Sequence, residues 1–195
     1  MAQKQPSGGE LLIAGVGGWG IITMGDLLAK AALKKYKHIV WFPSYATAMR
    51  GGESECCIIF SDEKIPSPII YRSGTVMVLG AWRIKAFEDR VRPGGLMLID
   101  TTGLQDEHKV LRSDIRVEYL PAMETAVSIG NVRNANLVML GAYVQMTKAL
   151  PPQLLIAEIE HRFGGKGREK VASACKQAFN EGMALMASRT ARGGK

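Results

Sequence analysis

The sequence predicts an α/β fold of three layers, Rossmann-like, around a mostly parallel sheet. Three observations carry this. Short apolar runs alternate with stretches of helical periodicity, the pattern of strands crossing over through helices. A glycine cluster, Gly15-Val16-Gly17-Gly18-Trp19-Gly20, stands directly between the first run and the first helical pattern. Between Phe42 and Ser54 there are too few residues for a crossover helix, so that pair is expected to be hairpin-like and the sheet mixed.

In chain order, Leu11 to Ala14 reads as the first strand. Ile21 to Leu33 follows as a helix, with Ile21, Met24, Leu27, Leu28, Ala31 and Ala32 on one face. His38 to Phe42 is the second strand, which Pro43 is expected to stop. Ser54 to Phe60 is the third, closed by the turn Ser61-Asp62-Glu63-Lys64. Val76 to Leu79 is the fourth, and a short helix runs from it to Arg90. Arg92-Pro93-Gly94-Gly95 then turns the chain into the fifth strand, Leu96 to Asp100. Ile115 to Leu120 is the sixth. Helices are expected at about 134–149, 151–163 and 167–187. In the last of these, Val171, Cys175, Ala178, Phe179, Gly182 and Met186 fall at helical spacing, which makes Cys175 a core residue.

Composition narrows the function. With 195 residues, 47% hydrophobic and 22% charged, the chain fits one ordinary domain with a real core. The expected limits are a flexible tail over 1–9, one domain over 10–187 and a basic tail over 188–195. The longest run without a charge, Leu11 to Gly25, has fifteen residues of which five are glycine, so no membrane span is expected. The polar N-terminus does not read as a signal peptide, and the cytoplasm is the expected compartment. The net charge of +7 is local: from Arg162 to Lys195 there are eight Lys or Arg against two Glu, and everything before sums to +1. Without interleaved aromatics such a segment reads as a solvated end or an acidic-partner contact, and nucleic acid is not an expected partner.

The candidate chemistry lies in two clusters. Gly15, Gly17 and Gly20 fit G-x-G-x-x-G between strand and helix, with Gly18 freeing the loop further. Backbone N–H groups and a helix N-terminus there suit an anion. A dinucleotide site also wants an acid at the end of the second strand, yet the nearest carboxylate downstream is Glu53. That argues against NAD and leaves another phosphate-bearing ligand, or plain close packing of glycine. The second cluster runs Ser44-Tyr45-Ala46-Thr47-Ala48-Met49-Arg50-Gly51-Gly52. Hydroxyls, a guanidinium fork and two glycines make an anion grip, or a surface arginine at a turn. Cys56 and Cys57 are adjacent and point to opposite faces of a strand, and no Cys-x-x-Cys exists. An iron–sulfur cluster, zinc or other metal held by this chain alone is therefore not expected, and no nucleophile–base pair marks a catalytic residue.

These residues resemble a known family. Gly15-Val-Gly-Gly-Trp-Gly, Trp41-Phe-Pro-Ser-Tyr, Arg50-Gly-Gly, and Ser61-Asp62 with Pro66-Ser-Pro are similar to the gamma subunit of 2-oxoacid:ferredoxin oxidoreductases. The gamma-type domain of pyruvate:ferredoxin oxidoreductase shares them. Arg92-Pro-Gly-Gly, Pro121-Ala-Met-Glu-Thr-Ala, Gly130-Asn131, Asn136-Leu-Val-Met-Leu-Gly141, Phe163-Gly-Gly-Lys and Ala178-Phe-Asn-Glu-Gly182 extend the likeness over roughly residues 10–187. The resemblance implies one subunit, inactive alone, of an enzyme that converts a 2-oxoacid and coenzyme A to acyl-CoA and carbon dioxide and passes electrons to ferredoxin. It places thiamine diphosphate, its Mg and the iron–sulfur clusters in partner subunits of alpha, beta and delta type. This chain is then expected to contact coenzyme A through Gly15, Gly17, Gly18, Gly20, Ser44, Arg50, Gly51 and Gly52, and to pack against its partners. Asn131 and Asn136 are further polar candidates, with helix capping as the alternative reading.

The chain departs from the family where Ala46-Thr47-Ala48 replaces a triplet that commonly carries an acid, and where Cys175 takes the place of an asparagine. Trp41-Phe42-Pro43 is nearer the 2-oxoglutarate-type branch. The rival expectations are a purely structural interaction subunit and a free-standing NAD(P)-binding oxidoreductase. A homodimer is expected when the chain is isolated, covering an apolar face.

Overall fold

The computed structural model describes residues 8–45 and 52–192. Its core is a six-stranded sheet of order β2-β3-β1-β4-β5-β6. The strands are β1 (Gly8–Val16), β2 (His38–Tyr45), β3 (Glu53–Ser61), β4 (Ser73–Val78), β5 (Val91–Asp100) and β6 (Arg116–Leu120). β1, β4, β5 and β6 pair in parallel, whereas β3 runs antiparallel to both β1 and β2. The reason is chain length. β1 returns to β2 through helix α1 (Ile21–Ala32), skipping one position, and the short link from Tyr45 to Glu53 cannot hold a parallel crossover. The chain doubles back and fills the vacant position with β3. Being central, β3 is apolar on both faces: Cys56, Ile58 and Phe60 on one, Cys57 and Ile59 on the other.

The two faces are covered unequally. One carries α1, α3 (Ala122–Ser128), α4 (Ala135–Thr147), α5 (Pro152–Phe163) and α6 (Glu169–Arg192). The other carries the short helical stretch 81–90, with α2 (Ile84–Phe87) at its centre, and the loops that bring in Ile65, Ile70, Leu104 and Val110. Helix α4 is buried over Ala135 to Val144, all round, because α6 packs on the side away from the sheet. Two glycines allow that crossing. A Cβ on Gly141 would lie 2.0 Å from the Phe179 carbonyl oxygen, and one on Gly182 would lie 1.9 Å from that of Val138. Lys148, at φ 53°, closes α4, and Pro152 opens α5 in the first turn, where its missing N–H costs nothing.

Several elements differ from the sequence expectation. Pro43 does not stop β2, which continues to Tyr45. β2 is the edge strand, so the proline's lost donor can face outward instead of breaking a ladder. Arg92-Pro93-Gly94-Gly95 is not a turn before β5 but an excursion inside it. Ser73 pairs Val91, then Thr75 pairs Leu96, and the Gly94 N–H donates to the Asp114 carbonyl at 2.7 Å. Helix α3 was not anticipated; its seven residues are too few for a periodic signal. β1 begins at Gly8, inside the expected tail, and α6 runs on to Arg192. Arg189 is no solvated end: it donates to the Tyr119 carbonyl and pairs with Glu118, tying α6 to β6.

Gly182→Ala should lower stability by about 1–3 kcal/mol, the usual range for forcing an extra carbon into a packed core. A fall of several degrees in Tm on thermal unfolding checks it. An unchanged Tm would show that α4 and α6 separate at no cost.

Candidate functional site

At the carboxyl ends of the parallel strands, the connections after β1 and β4 leave the sheet in opposite directions. The first crosses one face as α1; the second crosses the other as α2. Neighbouring strands whose crossovers diverge leave a crevice between them, the place where open α/β sheets take ligands. The glycine loop forms one wall of this crevice and Leu79-Gly80 the other. A cavity of about 160 Å³ opens there, lined by Gly18, Trp19, Leu79, Met123, Val132, Arg133 and Ala135.

The glycines serve different ends. Gly15 lets α1 close on the sheet: a Cβ would sit 2.5 Å from Ile21 Cδ1 and 3.2 Å from Leu79 Cβ. The Gly17 N–H donates to the Gly52 carbonyl at 2.8 Å, strapping the loop to the start of β3. Gly18 is exposed at φ 97° with nothing near its missing side chain. Gly20 is the N-cap of α1 at φ 77°, with no side-chain cap, and a Cβ there would meet Asn136 Nδ2 at 2.1 Å. The first-turn N–H groups of α1 have no intrahelical partner, and the positive end of the helix dipole lies at the glycine loop.

The other expected residues divide. Ser44 stands exposed on β2 opposite Glu55, at the same end of the sheet but with β3 between it and β1, about 10 Å from the loop at ordinary strand spacing. Arg50 and Gly51 lie outside the described residues. Asn131 caps the turn 132–134, its Oδ1 accepting from the Arg133 N–H at 3.1 Å. Asn136 is buried; its Nδ2 donates to the Gly20 carbonyl at 3.4 Å and its Oδ1 accepts from the Leu137 N–H at 2.8 Å. Both amides are used within the fold, Asn136 fixing the loop and Asn131 the turn that presents Arg133.

Residues 10–185 match the family described as pyruvate ferredoxin/flavodoxin oxidoreductase. The chain belongs to that family. Ketoisovalerate oxidoreductase subunit VorA of Methanothermobacter thermautotrophicus is 34% identical over 155 residues, 79% of this chain and 32% of its own length. The chain thus spans about a third of that relative. The 2-oxoglutarate synthase subunit KorC of Methanocaldococcus jannaschii is 32% identical over 142 residues, 71% of this chain and 74% of its own. The relatives are subunits of 2-oxoacid:ferredoxin oxidoreductases. Among solved structures, the gamma subunit of a keto/oxoacid ferredoxin oxidoreductase from Geobacter sulfurreducens shares the fold, with a TM-score of 0.76 at 24% identity, over 92% of this chain and 98% of that one. The 2-oxoglutarate:ferredoxin oxidoreductase of Magnetococcus marinus, solved with 2-oxoglutarate, coenzyme A and succinyl-CoA bound, gives 0.82 at 24% identity, over 94% of this chain and 32% of that one.

Sequence reasoning missed three residues at this edge of the family fold. Arg133 lines the cavity, is exposed, and has no side-chain ion pair among the described residues. Trp82 rests against Gly80 and Gly103, both at positive φ, and meets Trp19 edge-on at 5.6 Å. Arg83 is buried, stacks over Phe87 and holds Glu53 at 2.9 Å, joining the start of β3 to the turn after β4. None of the three carries a motif; Arg133 comes near Trp19 of the glycine loop, and Trp19 near Trp82, only in the folded chain. At the opposite edge lies a larger groove of about 1010 Å³. There Arg92 pairs with Glu10, Lys35 joins Tyr36 on the Ala149 carbonyl, and Lys148 donates to Gln145 Oε1. Among the described residues no helix is long and apolar enough to cross a membrane.

The cysteines are core groups. Burial pushes the Cys56 thiol up to about 12 and the Cys57 thiol to about 11, and it raises Cys175 as well. Since the thiolate is the reactive form, these three thiols should resist a disulfide reagent at pH 8 in the native chain and react fully in denaturant. Rapid labelling of the folded protein, followed by absorbance, would overturn that placement.

Proposed function

We propose that this chain is the gamma unit of a multisubunit enzyme that oxidatively decarboxylates a 2-oxoacid with coenzyme A, and that it contributes coenzyme binding and subunit packing. In the overall reaction the bond between the carboxylate and the keto carbon breaks and carbon dioxide leaves. A thioester forms, and two electrons pass to ferredoxin with release of a proton. Thiamine diphosphate with its Mg, and the iron–sulfur clusters, belong in this reading to alpha-, beta- and delta-type partners, and the chain is inactive alone. The role left to it is to bind and orient the anionic coenzyme.

The observation that carries the reading is the crevice: a glycine loop and an uncapped helix N-terminus at the point where two crossovers diverge, with Arg133 beside them. Ser44 stands at the same strand-end side in register, and Arg50 follows it six residues later in sequence. That a Magnetococcus relative of this fold holds coenzyme A supports the ligand class. Similarity to KorC, together with Trp41-Phe42-Pro43, favours 2-oxoglutarate or a related keto acid as the substrate. Subunit packing is supported by the edge strand β2, where Trp41 is 40% and Phe42 48% exposed, and by VorA relatives more than twice as long, in which the unit adjoins further sequence. The same face would pair two copies of the isolated chain.

Titration calorimetry of coenzyme A into the purified chain, with NAD as control, tests this. Coenzyme A should bind and NAD should not. Arg50→Ala should weaken coenzyme A by about tenfold or more, because a charge-assisted hydrogen bond contributes ~1.5–3 kcal/mol. No heat with either ligand would reduce the chain to an interaction subunit; heat with NAD alone would overturn the reading.

A further inference from the structure

We infer that the loop between α5 and α6, through Lys166, Arg168 and Lys170, is the docking rim for an acidic patch on the partner subunit that completes the active site. This rests on the reading above, in which the chemistry belongs to a partner, and names where this chain meets it. Unpaired charge is the first argument. Most described cations in this fold are engaged: Lys30 and Arg162 share Asp26, Lys34 holds Glu158, Lys176 holds Glu160 and Arg189 holds Glu118. Lys166, Arg168 and Lys170 are exposed, and among the described residues their side chains meet no acceptor. Glu169, the carboxylate in their midst, accepts from the Gly167 N–H at 3.1 Å. Of the basic segment from Arg162 onward, the unpaired charge among the described residues collects on this loop. What the cluster lacks is a carboxylate from outside the chain.

The loop is also built to a fixed path. Its Gly164 N–H donates to the Glu160 carbonyl and its Arg168 N–H to the Gly165 carbonyl, both at 2.8 Å. Gly165 and Gly167 stand at φ 119° and 81° with nothing near their missing side chains, so they serve the turn of the backbone and not packing. A backbone fixed beforehand costs less to order on binding. Position is the third argument. Arg162 reaches Asp26 at 2.7 Å, which lays the start of the loop beside α1. The turn 132–134 lies against α6, with Cys175 Sγ on Asn134 Oδ1 at 3.7 Å, and its Arg133 lines the crevice. The loop thus flanks the side of the sheet that a partner holding the reactive cofactor has to face. Val132 and Val171, 47% and 49% exposed, add apolar surface there, and apolar surface with a polar rim is the make-up of a protein interface. A small anion fits less well, since none of the three cations lines the crevice cavity or the larger groove. Nucleic acid fits less well too, because no exposed aromatic stands among them.

The test measures association of the full chain with the immobilised remaining subunits of its own enzyme, by biolayer interferometry at about 50 mM and about 500 mM NaCl. One variant neutralises the loop, with Lys166→Gln, Arg168→Gln and Lys170→Gln together; a second reverses it, with Lys166→Glu and Arg168→Glu. A control removes two charges elsewhere, with Lys64→Gln and Lys148→Gln at the groove on the opposite edge. All the substituted side chains are exposed or half-buried, and circular dichroism checks the fold of each variant. At low salt the neutralised chain should associate about tenfold more slowly than wild type and the reversed chain more slowly still, because rim charges act on the encounter rate. At high salt the difference should close. The control should match wild type at both salts. Coenzyme A affinity by calorimetry should be the same in the neutralised chain as in wild type.

If wild type and both loop variants associate at the same rate at low salt, the partner docks elsewhere; the inference falls while the proposed function stands. If the neutralised chain keeps its association rate and loses coenzyme A instead, the loop grips a ligand and not a partner, and the inference is overturned. If the wild-type chain binds a DNA duplex, or a second copy of itself, and the neutralised chain does not, the occupant is other than the one inferred. If the wild-type chain fails to join the remaining subunits at either salt, the proposed function fails first and the inference with it.

Discussion

The structure turns on the close approach of α1 to the middle of the sheet. β1 pairs with β3 on one side and β4 on the other, and α1 leaves its end to lie directly over β3. Contact at that distance needs positions with no side chain. Gly25 is one: a Cβ would fall 2.3 Å from Cys56 Sγ and 2.8 Å from Trp41 Nε1. With the helix seated there, the Trp41 indole N–H donates to Cys56 Sγ at 3.1 Å, fastening the edge strand to the central one. Gly15 continues the same contact to the strand end, and Gly20 lets Asn136 of α4 approach the start of α1. The loop usually read as a ligand motif is thus also the hinge on which the helix layer closes.

From that contact the rest of the architecture follows. Once α1 covers β1, β3 and β2, the remaining strands on that face need another cover, and α4 supplies it. A helix apolar all round must itself be buried, so α6 lies over it, and α5 packs against α6 and α1. Lys34 with Glu158, and Arg162 with Asp26, then clip α1 to α5 at the surface. Among the described residues, the opposite face gets only a short helix and two loops, and no strand pairs with the outer edge of β2. A fold lopsided in this way leaves one thinly covered face and one bare edge, which suits a unit that works inside a larger assembly.

The division of labour among polar groups also follows from packing. Buried amides must find partners, so Asn136 is consumed by the loop it sits beside, and the half-buried Asn131 caps its turn. What stays available at the crevice is what packing cannot use: the first N–H groups of α1, an arginine on a capped turn, and the apolar slot between them. The site is assembled from remainders of three separate segments.

The sequence by itself determined the alternation of strands and helices, the mixed pair around β3, the core role of Cys175 and the helical face of α1. Each is a local matter, written in periodicity of 2 or 3.6 and in loop length. It also carried the family, because that likeness is spread through motifs in one order from residue 10 to 187. It misjudged Pro43 and the Arg92-Pro93-Gly94-Gly95 segment, where a local turn preference is overruled by position at a sheet edge and by a bulge. It missed α3, too short to show a period. Arg133, Trp82 and the cavity lay beyond its reach altogether. Their meeting depends on β1 and β4 becoming neighbours whose crossovers part to opposite faces, a pairing of segments more than sixty residues apart that only the folded sheet decides.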